Sequence, residues 1–524
     1  MEYNQPSAIV KDLSFGAEAN EKIMSGVDKL AKAVKSTLGA SGKCVIYEDA
    51  MGKPIITKDG VTVAESVILY DPVENMGATL IKEAAKNTVK EAGDGTTTST
   101  VLAHSLLNHS IHYIDENTSI RDFQEAFLRG VDFVNDYLDK NKLEVTDSML
   151  VDVATISTNN DLVLGNIIAN AYSKVGKHGV VLMEESESEE TYFEIVDGVQ
   201  FDSGLKTQHL ATTDDKEKAE LENPYILIVA SPINSIRKIQ AVLEYVIKEK
   251  RSLLIVATVE QQPYSALLTN KVKGNIKVNI VDVPGFGSTK RDTIEDLAAL
   301  TGAKIIDEEL GDDLDLIDPS VLGEAIKSIT DSKNTVLTIE SVSDDAKMRI
   351  EGVEEKINEE QNPFIKKKLE QRLAMLSGSV GIIKVGANSK IELKEKKDRV
   401  EDAIYATKAA LQEGIVPGGG VALLNAAQKM QAKNTAEKVF KMAIMTPFLT
   451  ILENANIEVP KDFNYRKGYG IDVVTGKSVN MIKAGIIDPV LVTKTALKNA
   501  VSVVSTIISA DCVISNMRIN ESGK

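Results

Sequence analysis

The sequence predicts a multidomain α/β protein: mostly helical segments at both ends flank a central stretch in which short strands alternate with helices. Three observations carry that expectation. Apolar residues near the N-terminus recur at helical spacing. Residues near 197–380 change to short β-branched runs separated by helical patterns. After Gly418-Gly419-Gly420 the chain returns to the texture of its start. A length of 524 residues suggests about three domains and is ample for a large core.

From Ile23 an apolar stripe runs through Val27, Leu30, Ala31, Val34 and Leu38, which predicts a helix ended by Gly39. Cys44 to Tyr47 and Pro54 to Thr57 read as short strands around a Gly-containing turn, and further helices are expected to about Asn141. In the centre, Tyr225 to Ala230, Leu253 to Thr258 and Ile276 to Val283 read as strands. Ile236, Ile239, Val242, Leu243, Val246 and Ile247 mark one intervening helix; Tyr264, Leu267 and Leu268 mark the next. That alternation implies a partly parallel α/β unit. The charged stretch from about Asp344 to Leu376 reads as a solvated helical hairpin.

The most informative stretch is Gly93-Asp94-Gly95-Thr96-Thr97-Thr98, which runs into a helix with Ala103, Leu106, Leu107, Ile111 and Ile114 as its apolar positions. Small residues let backbone approach a ligand closely. Three hydroxyls and the free N–H groups of a helix start suit phosphate oxygens. A carboxylate in the same turn is reconciled with phosphate by a cation, and magnesium prefers one or two carboxylates plus phosphate oxygens. An ordinary loop and N-cap uses the same residue types, so local chemistry leaves both readings open.

The formal net charge is −17, from 60 basic and 77 acidic residues with no long basic run, which disfavours a nucleic-acid partner. Cys44 and Cys512 form no ligand pattern and fit a reducing compartment. Residues 1–20 lack a basic segment followed by an apolar one, so no signal peptide is read and a cytoplasmic location is expected. The longest mostly apolar run, Val501 to Ala510, is too short for a bilayer, and no membrane partner is expected. Two motifs are set aside. Gly470 to Ser478 has five residues between its glycines where a phosphate-cradling loop has four. His104, His109 and His112 lack a completing ligand set for zinc.

In combination, short segments along almost the whole chain resemble the group I chaperonins of the bacterial type. They are Lys35 to Gly39, Ile56 to Val61, Glu74 to Ala78, Gly93 to Thr98, Val283 to Gly287, Leu369 to Leu373, Ile383 to Ala387, Glu395 to Asp402, Gly418 to Val421 and Gly485 to Pro489. The resemblance implies an equatorial domain from residues 1–140 and 413–524, an intermediate hinge domain from 141–196 and 381–412, and an apical domain over 197–380. It further implies seven-membered homo-oligomeric rings, single or double, that enclose a chamber for non-native polypeptides under a lid co-chaperonin.

The resemblance also implies an ATPase site. Thr37, Leu38, Gly39 and Ala40 match a first phosphate-contacting loop, Asp94 a magnesium ligand, and Gly95, Thr96, Thr97 and Thr98 a phosphate cradle. Lys58 and Thr97 lie where the family holds potassium. Asp59 and Asp402 match the carboxylates around the attacking water, and Gly419, Asp472, Val473, Val474 and Asp488 match positions around the adenosine. Asp402 falls in the hinge domain, so that domain is expected to close over the nucleotide. Client-binding positions match Leu205, Leu210, Ile239, Leu243, Tyr264 and Leu268, with polar His209, Gln240 and Thr269 where the family is apolar. Ala40 replaces a proline and is expected to loosen the first loop. Glu116, His112 and Leu449 depart from the family's ring-to-ring contact, with Glu458 retained. A ring-forming scaffold with residual ATPase is the alternative.

Overall fold

A computed structural model describes residues 11–49, 51–114, 119–176, 179–213, 216–284, 288–312, 317–341, 343–360, parts of 361–377, 378–459 and 466–516. It divides into two compact units. The first comprises Met1–Ala169, Glu185–Thr191 and Val385–Lys524; the second comprises Asn170–Glu184 and Tyr192–Lys384.

The first unit is a helical bundle. Helix Gly16–Lys35 buries Ile23, Val27, Leu30 and Val34 in the same core as Leu102, Leu106, Phe127 and Val501. It crosses helix Pro72–Ala92 where glycine is required twice. A Cβ on Gly26 would stand 1.9 Å from the Glu74 carbonyl oxygen, and one on Gly77 would stand 2.4 Å from the Ile23 carbonyl oxygen. Asp71 caps the second helix through the Val73 and Glu74 amides, with Pro72 in the first turn. The first helix ends at Lys35, ahead of the Gly39 stop read from the stripe. Turn hydrogen bonds from Thr37 to Val34 and from Leu38 to Lys35 carry the chain onward. The predicted strand pair forms as Val45–Glu48 and Pro54–Thr57, antiparallel.

Helix Val490–Ile507 is long and apolar enough to cross a bilayer, a length that the run Val501 to Ala510 did not reveal. Here it is a core element: Val490, Ala496, Leu497, Ala500 and Val504 are fully buried against helices Pro72–Ala92, Thr96–Tyr113 and Ile120–Asn141.

The second unit has two sheets. In the first, Ile305–Ile306, Tyr225–Val229, Leu253–Val256 and Val278–Val281 lie side by side in parallel, and Gly323–Glu324 joins antiparallel to Tyr225–Val229. Strict alternation serves two cores: Ile226, Ile228, Leu254 and Val256 enter one, while Tyr225, Leu227, Leu253 and Ile255 enter the other. The second sheet has six strands in the order Val180–Glu185, Ser379–Val385, Tyr192–Phe201, Thr335–Thr338, Lys327–Thr330 and Ala219–Glu222.

The charged stretch is less solvated than the sequence suggested. Helix Asp344–Glu359 buries Ala346 and Val353, and Leu376 is 1% exposed. The reason is electrostatic. Asp296, fully buried, receives Arg372 Nε at 2.6 Å and Arg349 Nη1 at 3.2 Å, so two guanidiniums draw this stretch onto helix Ser288–Thr301.

Candidate functional site

A cavity of about 720 Å³ opens within the first unit, and every position assigned above to nucleotide or water lines it. At its floor, Gly93 ends helix Pro72–Ala92 at φ +76° and Gly95 starts helix Thr96–Tyr113 at φ +94°, both left-handed. A Cβ on Gly93 would sit 2.2 Å from the Tyr405 Cβ, and one on Gly95 2.7 Å from the Val492 Cγ1. The two glycines thus fold Asp94 and the start of the Thr96–Thr98 helix into the cavity. Asp94 accepts from the Gly95 amide, and no side chain caps the helix that follows, so its first amides are available to an anion.

Asp59 comes from the next element. Its two carboxylate oxygens accept from the Val61 amide at 3.0 Å and the Thr62 amide at 2.7 Å, capping helix Gly60–Ser66. Gly60 lies against the Thr97 hydroxyl, 2.2 Å from where a Cβ would stand, which packs the two turns together. Lys58 lines the cavity beside them.

Hydrogen bonds hold the first loop on either side of Ala40. The Asn454 amide donates to the Lys35 and Leu38 carbonyls at 2.8 and 2.9 Å, Gly42 N–H closes on the Gly39 carbonyl at 2.8 Å, and Lys43 N–H on Ser36 at 2.8 Å.

At the other end, Gly470 to Ser478 is a hairpin, Tyr469–Asp472 paired with Lys477–Asn480. Asp472 builds its turn: Oδ1 accepts from the Val474 amide at 2.9 Å and Oδ2 from the Thr475 hydroxyl at 2.6 Å. Val473 and Val474 follow in that turn. Ile451, Ile471, Met481 and Ile486 make this end of the cavity apolar. Asp488 holds the loop into the next helix by accepting from the Gly419 and Gly420 amides.

Asp402 stands on helix Lys390–Glu413 and lines the cavity. Burial, then the carboxylates of Asp94 and Asp59, push its pKa well above the usual range. Burial and then Asp59 raise Asp94 in the same direction. Asp398, one turn before Asp402, is raised to about 6 by burial and Asp59, and Asp488 to about 7 by burial and Asp94.

Sequence reading missed Asp398, Arg399 and the Asn159-Asn160 corner. The four-residue spacing of Asp398 and Asp402 was a usable signal, since it places both on one helix face. Asn159 and Asn160 lie at φ +62° and +64°, conformations that asparagine tolerates better than most residues. Arg399 supports the corner by donating to the Thr158 carbonyl at 3.2 Å.

Among the described residues, seven acidic side chains line the cavity against Lys58 and Arg399 alone. A polyphosphate enters such a site only with cations. Among the described residues no group of three His, Cys, Asp or Glu side chains is set to hold a metal unaided. A magnesium ion at Asp94 would therefore complete its shell with phosphate oxygens and water, so the donor set fits a magnesium nucleotide.

The repulsion gives a pH prediction. Asp488 binds its proton more tightly folded than unfolded, so its contribution to stability falls as pH rises from about 4 to about 7. Asp488→Asn keeps an acceptor for the glycine amides and removes the charge. Its thermal midpoint in chelator is expected to decline less than wild type across that window. Parallel curves would show that the carboxylate is not under strain.

Residues 30–518 match the model of the TCP-1/cpn60 chaperonin family. The chain belongs to the chaperonin family. Two solved structures share its fold, both of the chaperonin gp146 from the bacteriophage EL 2 (Pseudomonas aeruginosa) in the presence of ATP-BeFx. Crystal form II matches at TM-score 0.71 and form I at 0.65, each at 21% identity over 97% of this chain and 99% of that one. This chaperonin is a divergent member of its family.

Its second unit corrects two expected client-binding positions. Leu210 and Ile239 are fully buried, because both face the sheet residues Leu227, Leu253 and Ile255 in one core. Leu205, Leu243, Tyr264 and Leu268 are half-buried at the margin of that core, while His209, Gln240 and Thr269 are exposed. At the expected ring-to-ring contact, His112 and Glu458 are exposed and Leu449 is 43% exposed; Glu116 lies outside the described residues.

Proposed function

We propose that this chaperonin hydrolyses ATP to capture non-native polypeptides on its second unit and to promote their folding inside a ring-shaped chamber. The convergence of the Asp59, Asp94 and Asp402 carboxylates with two glycine-bounded turns in one cavity supports the reading. Asp402 holds and orients the attacking water, and Asp59 assists while fixing its own helix. The amides and hydroxyls of Gly95 to Thr98 bind the phosphates. Thr37 to Ala40 grip them from the opposite loop, and the hairpin at Asp472 to Val474, with Gly419 and Asp488, receives the adenosine. Magnesium at Asp94 would supply charge neutralisation on the phosphates, and potassium near Lys58 and Thr97 would add to it. Equatorial, hinge and apical domains at the boundaries given above, rings of seven, a lid co-chaperonin and a cytoplasmic location complete the proposal. Refolding of an aggregation-prone enzyme with and without ATP tests it; equal yields would overturn folding activity.

One observation favours the alternative of a scaffold with residual ATPase. The client surface is narrower than expected, since Leu210 and Ile239 are core. Leu243→Glu and Tyr264→Glu, at half-buried marginal positions, are expected to weaken capture of an unfolded protein while ATPase activity and assembly persist, because client binding would then desolvate a charge. Normal capture by both variants would move the client surface elsewhere.

Ring stacking follows from the exposed set at the ring-to-ring contact. Leu449 in place of the family's arginine leaves Glu458 without that partner. Individual surface pairs contribute only about 0–1 kcal/mol, but a ring repeats each one. Single rings are expected during part of the cycle, visible by sedimentation velocity with and without ATP. A double ring that persists under all nucleotide conditions and on dilution would refute this.

A further inference from the structure

The burial of Leu210 raises the question of what keeps it there. Leu210 closes a short 3-10 turn, Gln208–Leu210, that Thr207 caps through its hydroxyl. The turn offers little to hold itself: the Leu210 and Ala211 amides donate to the Thr207 and Gln208 carbonyls at 3.0 and 3.2 Å, and the carbonyls at its end have no helical successor. Among the described residues a single side chain meets them. Lys271, in the last turn of helix Gln261–Val272, points its Nζ at the carbonyls of His209 (3.3 Å), Leu210 and Ala211 (3.0 Å). Three ammonium protons are thereby directed at three consecutive carbonyls, at the negative end of the turn.

We propose that Lys271 latches the Leu205–Ala211 segment over the core of the second unit and so sets how much apolar surface a non-native polypeptide meets. The inference rests on the client-capture reading above. With the latch made, Leu210 lies in one core with Ile239, Val242 and Leu267, all of them buried, and Leu205 is only half exposed. With the latch broken, the segment loses its one bridge to helix Gln261–Val272 among the side-chain bonds described. Leu210 then lifts from the core, and two of the expected client positions, Leu210 and Ile239, reach the surface together. The ammonium also stands at a cost in this place, since burial lowers its pKa to about 8. Lys271 is a positioning residue: it acts through the segment and touches no nucleotide.

The test uses the assembled full chain. Lys271→Met keeps the aliphatic stem and removes the donors; Lys271→Arg keeps donors and charge. Hydrogen exchange at the Leu210 and Ala211 amides is expected to quicken severalfold in Lys271→Met and to stay near wild type in Lys271→Arg. The buried strand Leu253–Val256 should keep its protection in both. Binding of an anilinonaphthalene dye should rise in Lys271→Met, and capture of an unfolded reporter protein should strengthen, with ATPase activity unchanged. Exchange at Leu210 and Ala211 equal to wild type in Lys271→Met overturns the latch. Quickened exchange and dye binding with unchanged capture leaves the latch standing and overturns its link to clients, which separates failure of this inference from failure of the capture reading. If Lys271→Met also loses protection at Leu253–Val256, Lys271→Gln, which retains a donor on a shorter stem, is read by the same two criteria.

Discussion

Asp402→Ala is expected to slow ATP turnover by on the order of a hundredfold or more while nucleotide binding survives. The two effects separate because of what surrounds the residue. Asp402 is one of several carboxylates that raise one another's proton affinity in the cavity, so deleting it relieves repulsion on the nucleotide-loaded site. What is lost is the group proposed to hold water against the phosphate. Asp94→Ala acts in the opposite way: it removes the carboxylate of the glycine-bounded turn and should impair magnesium-dependent nucleotide binding. Single-turnover hydrolysis and equilibrium nucleotide binding, measured on assembled protein, distinguish them. The assignment is falsified if Asp402→Ala hydrolyses ATP at the wild-type rate.

Gly93→Ala is expected to be the most damaging single-methyl change at the site. The residue lies at φ +76°, and its new Cβ would meet the Tyr405 Cβ at 2.2 Å, close to backbone that has little room to move. Left-handed strain costs about 1–2 kcal/mol and overpacking about 1–3 kcal/mol more. Relief requires the Asp94 turn to shift away from helix Lys390–Glu413, which separates Asp94 from Asp402. Loss of both thermal stability and nucleotide binding should follow, read by melting curves and by titration. A variant with wild-type affinity would mean the turn tolerates displacement.

The sequence made the architecture readable wherever period and burial coincide. The strands Tyr225–Val229 and Leu253–Val256 are buried on both faces, so their continuous β-branched runs announced them. Helix Val490–Ile507 was harder, because Thr493, Thr495 and Asn499 on its buried face, with Lys494 and Lys498 between them, break up the apolar run. In the cavity, the glycine–aspartate–threonine turn carried its own chemistry, but Asp398, Arg399 and Asn160 did not. Their relevance comes from tertiary approach, and on a Lys/Glu-rich helix the four-residue spacing of Asp398 and Asp402 is the one local mark, naming a shared face without its use. Leu210 and Ile239 failed for a related reason. Helical spacing names an apolar face without saying whether protein or solvent lies against it. The grip of Asn454 on the first loop was also invisible, since its partners are backbone carbonyls more than 400 positions away.

The turn at Asp472 has a consequence for how the cavity meets its ligand. Its carboxylate is spent on the Val474 amide and the Thr475 hydroxyl, and its carbonyl accepts from Gly476 at 2.8 Å. The lip that the adenosine would touch is therefore already ordered, and binding there forfeits little chain entropy. Such a turn needs an oxygen acceptor at this position rather than a full charge, which asparagine also provides. Aspartate and asparagine can thus exchange without reshaping the lip, and the exchange alters only how strongly a neighbouring amino group is drawn to it.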